Sequence, residues 1–316
     1  MEIVVLDGYT LNPGDLDWSG LESMAKLRVY PRTSREQAAG RIGTAEIVLT
    51  NKTVIDRDLL DACPGIRYIG VLATGYNVVD VQAASERQIP VCNVPSYGTE
   101  AVAQHAMALL LELCNHVGMH DQAVRGGQWQ RSGEFCFWNA PLMELAGKTM
   151  GIVGMGRIGR KTAELARAFG MKVIYYDRNC VPGEGKPVTL QELLSRADVV
   201  SLHCPLFAQT ERMINAQSLQ SMKRGALLIN TSRGGLVDTQ ALAEALQSGW
   251  LGGAALDVVP KEPIDSEDPL LQAPNCILTP HIAWAPREAR ARLLQTAVEN
   301  VRAWMEGKPE NQVNVF

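Results

Sequence analysis

Apolar positions along the chain fall into two kinds of run. Short runs rich in β-branched residues, apolar at almost every position, predict strands buried on both faces at 3–6, 47–50, 68–72 and 91–94. Between them, apolar residues recur at helical spacing over 34–42, 56–62 and 78–87. From Thr99, placed as an N-cap, a long helical pattern runs to about Arg125 and ends at Gly126-Gly127. An aromatic loop, QWQRSGEFCFWN, follows. The alternation then resumes with a strand at 149–153, a helix at 157–169 closed by Gly170, and a strand at 173–176. Thr189 and Glu192 form a capping box for a short helix, ahead of strands at 199–202 and 226–229. A helix at 239–247 capped by Asp238, strands at 254–256 and 276–278, and a last helix at 286–305 complete the pattern. Strands alternating with helices predict parallel sheets covered on both faces. Taken alone, the alternation reads as two βα domains in tandem.

Composition narrows the class. The 316 residues are 46% hydrophobic and 20% charged with a formal net charge of −4, enough apolar material for two cores. No lysine- or arginine-rich block offers a footprint for nucleic acid or an anionic membrane. The opening MEIVVLD is too short and too acidic for a signal peptide, and the apolar stretch 106–111 stops at Glu112, too short to span a bilayer. Seven scattered cysteines without a Cys-x-x-Cys pair read as reduced thiols. The expectation is a soluble cytoplasmic protein with neither a nucleic-acid nor a membrane partner.

KTMGIVGMGRIGR, residues 148–160, carries a G-x-G-x-x-G directly after an apolar strand and at the start of an amphipathic helix. In that context Gly154 permits the tight turn, Gly156 lets a pyrophosphate approach the backbone, and Gly159 lets helix and strand close up. The helix start at Arg157 and Ile158 turns its N–H groups towards the phosphates. Asp177 closes the next strand, 23 residues after Gly154, where a carboxylate accepts hydrogen bonds from the adenosine ribose and repels a 2′-phosphate. The neighbouring Arg178 attracts a phosphate, so NAD is expected as cofactor, favoured over NADP without being exclusive.

Three further residues follow strand ends, where open α/β sheets place their ligands. Arg233 stands in INTSRGGLVD, Glu262 in ALDVVPKEP and His281 in LTPHIAW. Each alone has an ordinary reading as a surface ion pair, a solvated carboxylate or a satisfied core histidine. Together they supply what reduction of a ketone requires. A guanidinium clamps a carboxylate bidentately. An imidazole gives a proton to the carbonyl oxygen near neutral pH, and a glutamate beside it favours the charged form.

With these motifs in order, the chain resembles the D-isomer-specific 2-hydroxyacid dehydrogenases. The resemblance rests on VGMGRIG with Asp177, NTSRGGLVD, LDVVPKEP and TPHIAW, with 29 residues from Arg233 to Glu262 and 19 from Glu262 to His281. It implies that Arg233, Glu262 and His281 are catalytic. It also implies two Rossmann-like α/β domains with parallel sheets, a flavodoxin-like outer one and a dinucleotide-binding one, with the active-site cleft between them. The outer, substrate-binding domain is then discontinuous, 1–98 and 287–316, around an NAD-binding domain at 99–286, which replaces the tandem reading. The resemblance places the substrate carboxylate on backbone amides at Thr74 and Gly75 in LATGYNVVD, with Arg233 and His281 completing that site. A glycine in a strand-end loop exposes N–H groups suited to an anion in any case. Asp257 is implied to bind the nicotinamide amide, and Thr231, Pro205, Thr210 and Thr99 to line the cofactor. A homodimer built around the helix at 100–125 is implied as well.

Within the family, NVPSYGTEAVAQHAMALLLEL, FCFWNAPLMELAGKTMGIVG and TPHIAWAP are most like glycerate dehydrogenases, also called hydroxypyruvate reductases. The expected reaction is NADH-dependent reduction of a small 2-oxo acid, hydroxypyruvate or glyoxylate favoured, to the D-2-hydroxy acid. The alternatives are a non-catalytic NAD-sensing corepressor-like scaffold and a formate- or phosphite-type dehydrogenase of the same fold. Phe137 and Trp138 either wall the substrate side chain or cover the domain junction. Glu112, His116 and His120 stand at helical spacing, but without an HExxH they read as a solvated helix face or a helix-end interaction, and no metal is expected. His203, at a strand end, reads as structural.

Overall fold

In chain order the elements are β1 (Glu2–Val5), α1 (Ser19–Glu22), β2 (Lys26–Val29), α2 (Arg35–Ile42), β3 (Ile47–Thr50), α3 (Arg57–Ala62), β4 (Tyr68–Val71), α4 (Val81–Glu86) and β5 (Val91–Cys92). There follow α5 (Thr99–Asn115), α6 (Val117–Arg125), α7 (Gln128–Arg131), β6 (Thr149–Val153), α8 (Arg157–Ala168), β7 (Lys172–Tyr176), α9 (Leu190–Arg196), β8 (Val199–Leu202) and α10 (Ala216–Ser221). The chain ends with β9 (Leu227–Asn230), α11 (Thr239–Gln247), β10 (Gly253–Leu256), β11 (Cys276–Leu278) and α12 (Arg287–Met305). The structure is a computed structural model and describes all residues, Met1–Phe316. They form two compact units, Met1–Gly98 with Trp284–Phe316, and Thr99–Ala283.

The first unit is a parallel sheet in the order β2-β1-β3-β4-β5, the flavodoxin-like order. β3 and β4 are buried at every position, which is why IVLT and YIGV are apolar throughout. Helices α2, α3 and α4 cover one face with Ala38, Ile42, Leu59, Leu60, Ala83 and Ala84. The other face is covered by Leu21 of α1 and, from the far end of the chain, Leu293, Leu294, Ala297, Val298 and Val301 of α12. β2 is absent from the sequence reading because it is an edge strand with no fully buried residue, and its Arg28 pairs with Glu2 at 2.7 Å.

The second unit is a parallel sheet in the order β11-β10-β9-β8-β6-β7. The chain enters at β6, pairs β7 on one side and crosses to β8 on the other, so the strand order reverses between β6 and β8. α5 and α8 cover one face, while α9, α10 and α11 cover the other. The single long helix expected from Thr99 is broken. His116 takes a left-handed conformation (φ +48°) between α5 and α6, and the Gly118 N–H it releases is taken by the Glu112 carboxylate at 3.1 Å. Thr99 is the first helical residue of α5.

The apolar residues of α5 do not await a partner. Ala106, Met107, Leu109, Leu110 and Leu113 are buried in this unit's own core. The exposed apolar residues come later, at Val117 and Met119 of α6, Trp129 of α7, and Phe135 and Trp138 beyond it. No helix is long and apolar enough to cross a membrane.

Candidate active site

The glycine loop lies at the strand-order reversal. Gly154 has φ +94°, and a Cβ there would stand 2.8 Å from backbone atoms of His203 and Cys204. A Cβ on Gly159 would stand 2.1 Å from the Gly154 oxygen, so only glycine lets α8 approach β6 this closely. Gly156 differs, since a Cβ there meets nothing within 4 Å. It precedes an α8 N-terminus that no side chain caps. Open space above uncapped N–H groups, including those of Arg157 and Ile158, fits a pyrophosphate. Asp177 faces the same loop: one carboxylate oxygen accepts the Met155 N–H at 2.8 Å and the other the Asn179 N–H at 3.1 Å. The Arg178 guanidinium lies over the Phe207 ring, 5.6 Å from its centroid. The Thr210 hydroxyl donates to the Pro205 oxygen and accepts the Phe207 N–H, both at 2.8 Å, closing the turn between them.

Arg233, Glu262 and His281 all belong to this second unit and follow β9, β10 and β11. Register explains their gathering. Asn230 pairs with Leu202 and Leu256, and Leu256 with Leu278, so the chain leaves all these strands at one level. The residues one step beyond, His203, Thr231, Asp257 and Thr279, form a row along the sheet edge. Asn230, fully buried, shapes the Arg233 turn by accepting the Ser232 N–H and donating to the Arg233 oxygen, both at 3.0 Å. The Arg233 side chain is exposed, with Nη1 on the Ser232 oxygen at 2.8 Å. Gly234 lies so near the Glu262 loop that a Cβ would stand 1.9 Å from the carbonyl carbon of Val259.

His281 Nδ1 meets Glu262 Oε2 at 2.6 Å, and both side chains are about one-third exposed (32% and 35%). Glu262 Oε1 accepts the Val259 N–H at 3.3 Å, which orients the carboxylate. An ionised carboxylate only accepts, so Nδ1 donates, and Nε2 is the ring nitrogen that Glu262 does not engage. His281 itself has φ +55°, a conformation that non-glycine residues hold only when their surroundings impose it. Asp257 imposes it. Its main-chain oxygen accepts the His281 N–H at 2.8 Å, and its carboxylate accepts Ile282 N–H at 2.9 Å, Ala283 N–H at 2.8 Å and the Thr279 hydroxyl at 2.6 Å. Burial pushes the Asp257 carboxyl up, but bonds from His105, Thr279 and the two backbone amides outweigh it and hold it below its ordinary 3.8.

Comparison with known proteins settles the kinship. Residues 107–283 match the D-isomer specific 2-hydroxyacid dehydrogenase, NAD binding domain, family. The chain is 53% identical over 321 residues to a hydroxypyruvate reductase of Blautia hydrogenotrophica, covering 99% of this chain and 100% of that one. The chain belongs to the D-isomer specific 2-hydroxyacid dehydrogenase family. It is also 42% identical over 280 residues to a glycerate dehydrogenase of Methylorubrum extorquens, covering 88% of each. Among solved structures, the TT0316 protein of Thermus thermophilus superimposes with a TM-score of 0.85 at 39% identity, covering 99% of this chain and 100% of that one.

Other residues of this NAD-binding dehydrogenase fall as follows. The Thr231 hydroxyl is buried without a hydrogen-bond partner, which fits a polar atom of a bound cofactor. Thr74 and Gly75 lie in the first unit beyond β4, where the Thr74 hydroxyl donates to the Val94 oxygen at 2.9 Å. Phe137 packs on His120 with ring centroids 6.2 Å apart, while Trp138 is 67% exposed. His120 uses Nδ1 on the His116 oxygen at 2.8 Å and Nε2 on the Asn139 N–H at 3.1 Å, so both ring nitrogens are spent within the fold. His203 is neutral, its pKa pushed down to about 4 by burial, and meets the Ser201 hydroxyl at 2.8 Å. Sequence reasoning passed over Asn230, Gly234 and His105. A paired glycine after an arginine marked the second, and nothing local marked the others.

Proposed function

We propose that this chain reduces hydroxypyruvate or glyoxylate to the D-2-hydroxy acid, with His281 as proton donor. The observation that carries the reading is the 2.6 Å bond from His281 Nδ1 to Glu262, on the sheet edge that also bears the glycine loop. Gly154, Gly156, Gly159 and the first turn of α8 receive the pyrophosphate, Asp177 the adenosine ribose, and Pro205, Thr210 and Thr99 line the cofactor. Thr231 lines the cofactor as well, and Asp257 contacts the nicotinamide amide. When bound, NADH supplies the hydride to the carbonyl carbon of the oxo acid. Arg233 binds the substrate carboxylate as a bidentate clamp, and Thr74 and Gly75 are the proposed amide contacts for the same group. As the carbonyl oxygen gains charge, His281 Nε2 gives it a proton, and Glu262 holds the ring in place and favours the imidazolium that precedes transfer.

The names of the relatives, hydroxypyruvate reductase and glycerate dehydrogenase, support the three-carbon acid. They lend no support to a non-catalytic scaffold. We further read 1–98 with 287–316 as the substrate-binding domain and 99–286 as the NAD-binding domain, in a cytoplasmic homodimer. The exposed apolar residues of α6, α7 and the following loop support a partner surface there. The test is a panel of hydroxypyruvate, glyoxylate and pyruvate with NADH and NADPH. Turnover of none of them refutes the enzyme reading. His281→Ala should cut turnover steeply and leave NADH binding largely intact, and near-normal turnover would put the proton donor elsewhere.

A further inference from the structure

Helix α5 carries one inward-facing histidine to which the reaction described above gives no task. His105 Nε2 lies 3.1 Å from the Thr279 hydroxyl oxygen and 3.5 Å from Asp257 Oδ1, with its side chain 20% exposed. Its neighbours along the helix, Ala106, Met107 and Leu109, are core residues. The hydrogen bonding says what the imidazole adds. The Thr279 hydroxyl has one proton and gives it to Asp257 Oδ1 at 2.6 Å, because an ionised carboxylate can only accept. The Thr279 oxygen is then an acceptor towards α5, and His105 meets it as the Nε2–H tautomer.

From there the connection runs directly to the reacting histidine. Asp257 takes the Ile282 N–H at 2.9 Å and the Ala283 N–H at 2.8 Å through its carboxylate, and the His281 N–H at 2.8 Å through its main-chain oxygen. No link in the series His105, Thr279, Asp257, 281–283 exceeds 3.1 Å. The series ends on a residue held at φ +55°, which keeps that conformation only while its backbone is gripped. Among the charged and titratable groups bonded to this loop are Glu262 from the loop after β10, Asp257 just past the end of β10, and, through Thr279, His105 from α5.

We propose that His105 is a positioning residue for His281. Its N–H fixes the Thr279–Asp257 pair, the pair fixes the 281–283 backbone, and the backbone keeps the His281 ring on Glu262. Without that donor the Thr279 hydroxyl is free to rotate away, Asp257 loses a partner in a buried setting, and the loop gains alternatives to its left-handed turn. The inference rests on His281 being the proton donor.

Two substitutions separate donor from bulk. His105→Leu keeps the volume and removes the N–H, whereas His105→Gln presents an amide N–H near the position of Nε2. The measurements are kcat and KM for the best 2-oxo acid of the panel, NADH affinity by fluorescence, and Tm. His105→Leu is expected to lower kcat about tenfold, the scale of one hydrogen bond into a charged pair. NADH affinity should stay within about twofold and Tm within a few degrees, while His105→Gln recovers most of kcat. In a His281→Asn background, His105→Leu should cost nothing more, because the residue it positions is gone. The inference is overturned by wild-type kcat in His105→Leu, by equal losses in Leu and Gln, by a loss confined to KM or Tm, or by additive losses in the double variant. His281→Asn alone keeps the two failures apart. If it retains turnover, or if the wild type turns over no 2-oxo acid, the proposed function fails and takes this inference with it. If it is inactive while His105→Leu is normal, only the positioning role fails.

Discussion

Gly234→Ala tests whether the loops bearing Arg233 and Glu262 are held as one body. The added methyl would stand 1.9 Å from the Val259 carbonyl carbon, 2.2 Å from its oxygen and 2.3 Å from Pro260 N, where ordinary contact begins near 3.4 Å. All three are backbone atoms, so no side chain can swing aside, and the loops must part by about 1.5 Å. Misplacing reacting groups by about 1 Å costs on the order of 100-fold in rate, or about 2.7 kcal/mol. We therefore expect kcat/KM to fall about 100-fold, with an overpacking cost of about 1–3 kcal/mol in stability. Two neighbouring glycines serve as controls. Gly235→Ala meets the tip of the Leu206 side chain at 2.8 Å, which can rotate, so the loss should stay below about threefold. Gly156→Ala meets nothing within 4 Å, so the fold should be untouched and the penalty should appear only as weaker NADH binding. Steady-state NADH oxidation, NADH fluorescence titration and thermal melts measure all three. Gly234→Ala with kcat/KM within threefold of wild type and an unchanged Tm would refute the reasoning, since the loops would then move independently.

Asp257→Asn should lower stability at pH 7 by about 1–3 kcal/mol. The Asp257 carboxyl is held below its ordinary 3.8, so its contribution is fully present above the unfolded value and is lost as pH falls through the folded one. The Tm gap to wild type should accordingly narrow below about pH 4, and an equal gap at pH 3 and pH 7 would count against the charge-based grip. Asp177→Ala should weaken NADH binding about tenfold and narrow the preference over NADPH, through loss of the proposed ribose acceptor and of the Met155 N–H bond. A wild type that uses both cofactors equally would defeat that argument. Phe135→Ser with Trp138→Ser, at residues 88% and 67% exposed, should convert a dimer to monomers in sedimentation. A monomeric wild type would remove the dimer reading.

Most of the fold was legible in the chain because strands buried on both faces carry their environment in their composition. IVLT at Ile47–Thr50 and VVSL at Val199–Leu202 need no partner to be recognised, and both occur where expected. The glycine loop was legible for a similar reason, since its demands are made by the strand before it and the helix after it. Arg233, Glu262 and His281 were legible as residue types at strand ends. Edge strand β2 and the break at His116 were not: a half-covered strand carries little apolar signal, and a left-handed histidine has no local signature.

Taken by itself, the sequence determined the class of architecture, the dinucleotide loop and the chemical types at the sheet edge, because each depends on neighbours within about a dozen residues. Only the tertiary structure decided which atoms meet. It joined His281 to Glu262 through Nδ1, set Gly234 against Val259, and brought His105 of α5 onto the Thr279–Asp257 pair. Those contacts depend on strand register and on the closeness of backbones far apart in the chain, and neither is encoded by any single stretch of residues.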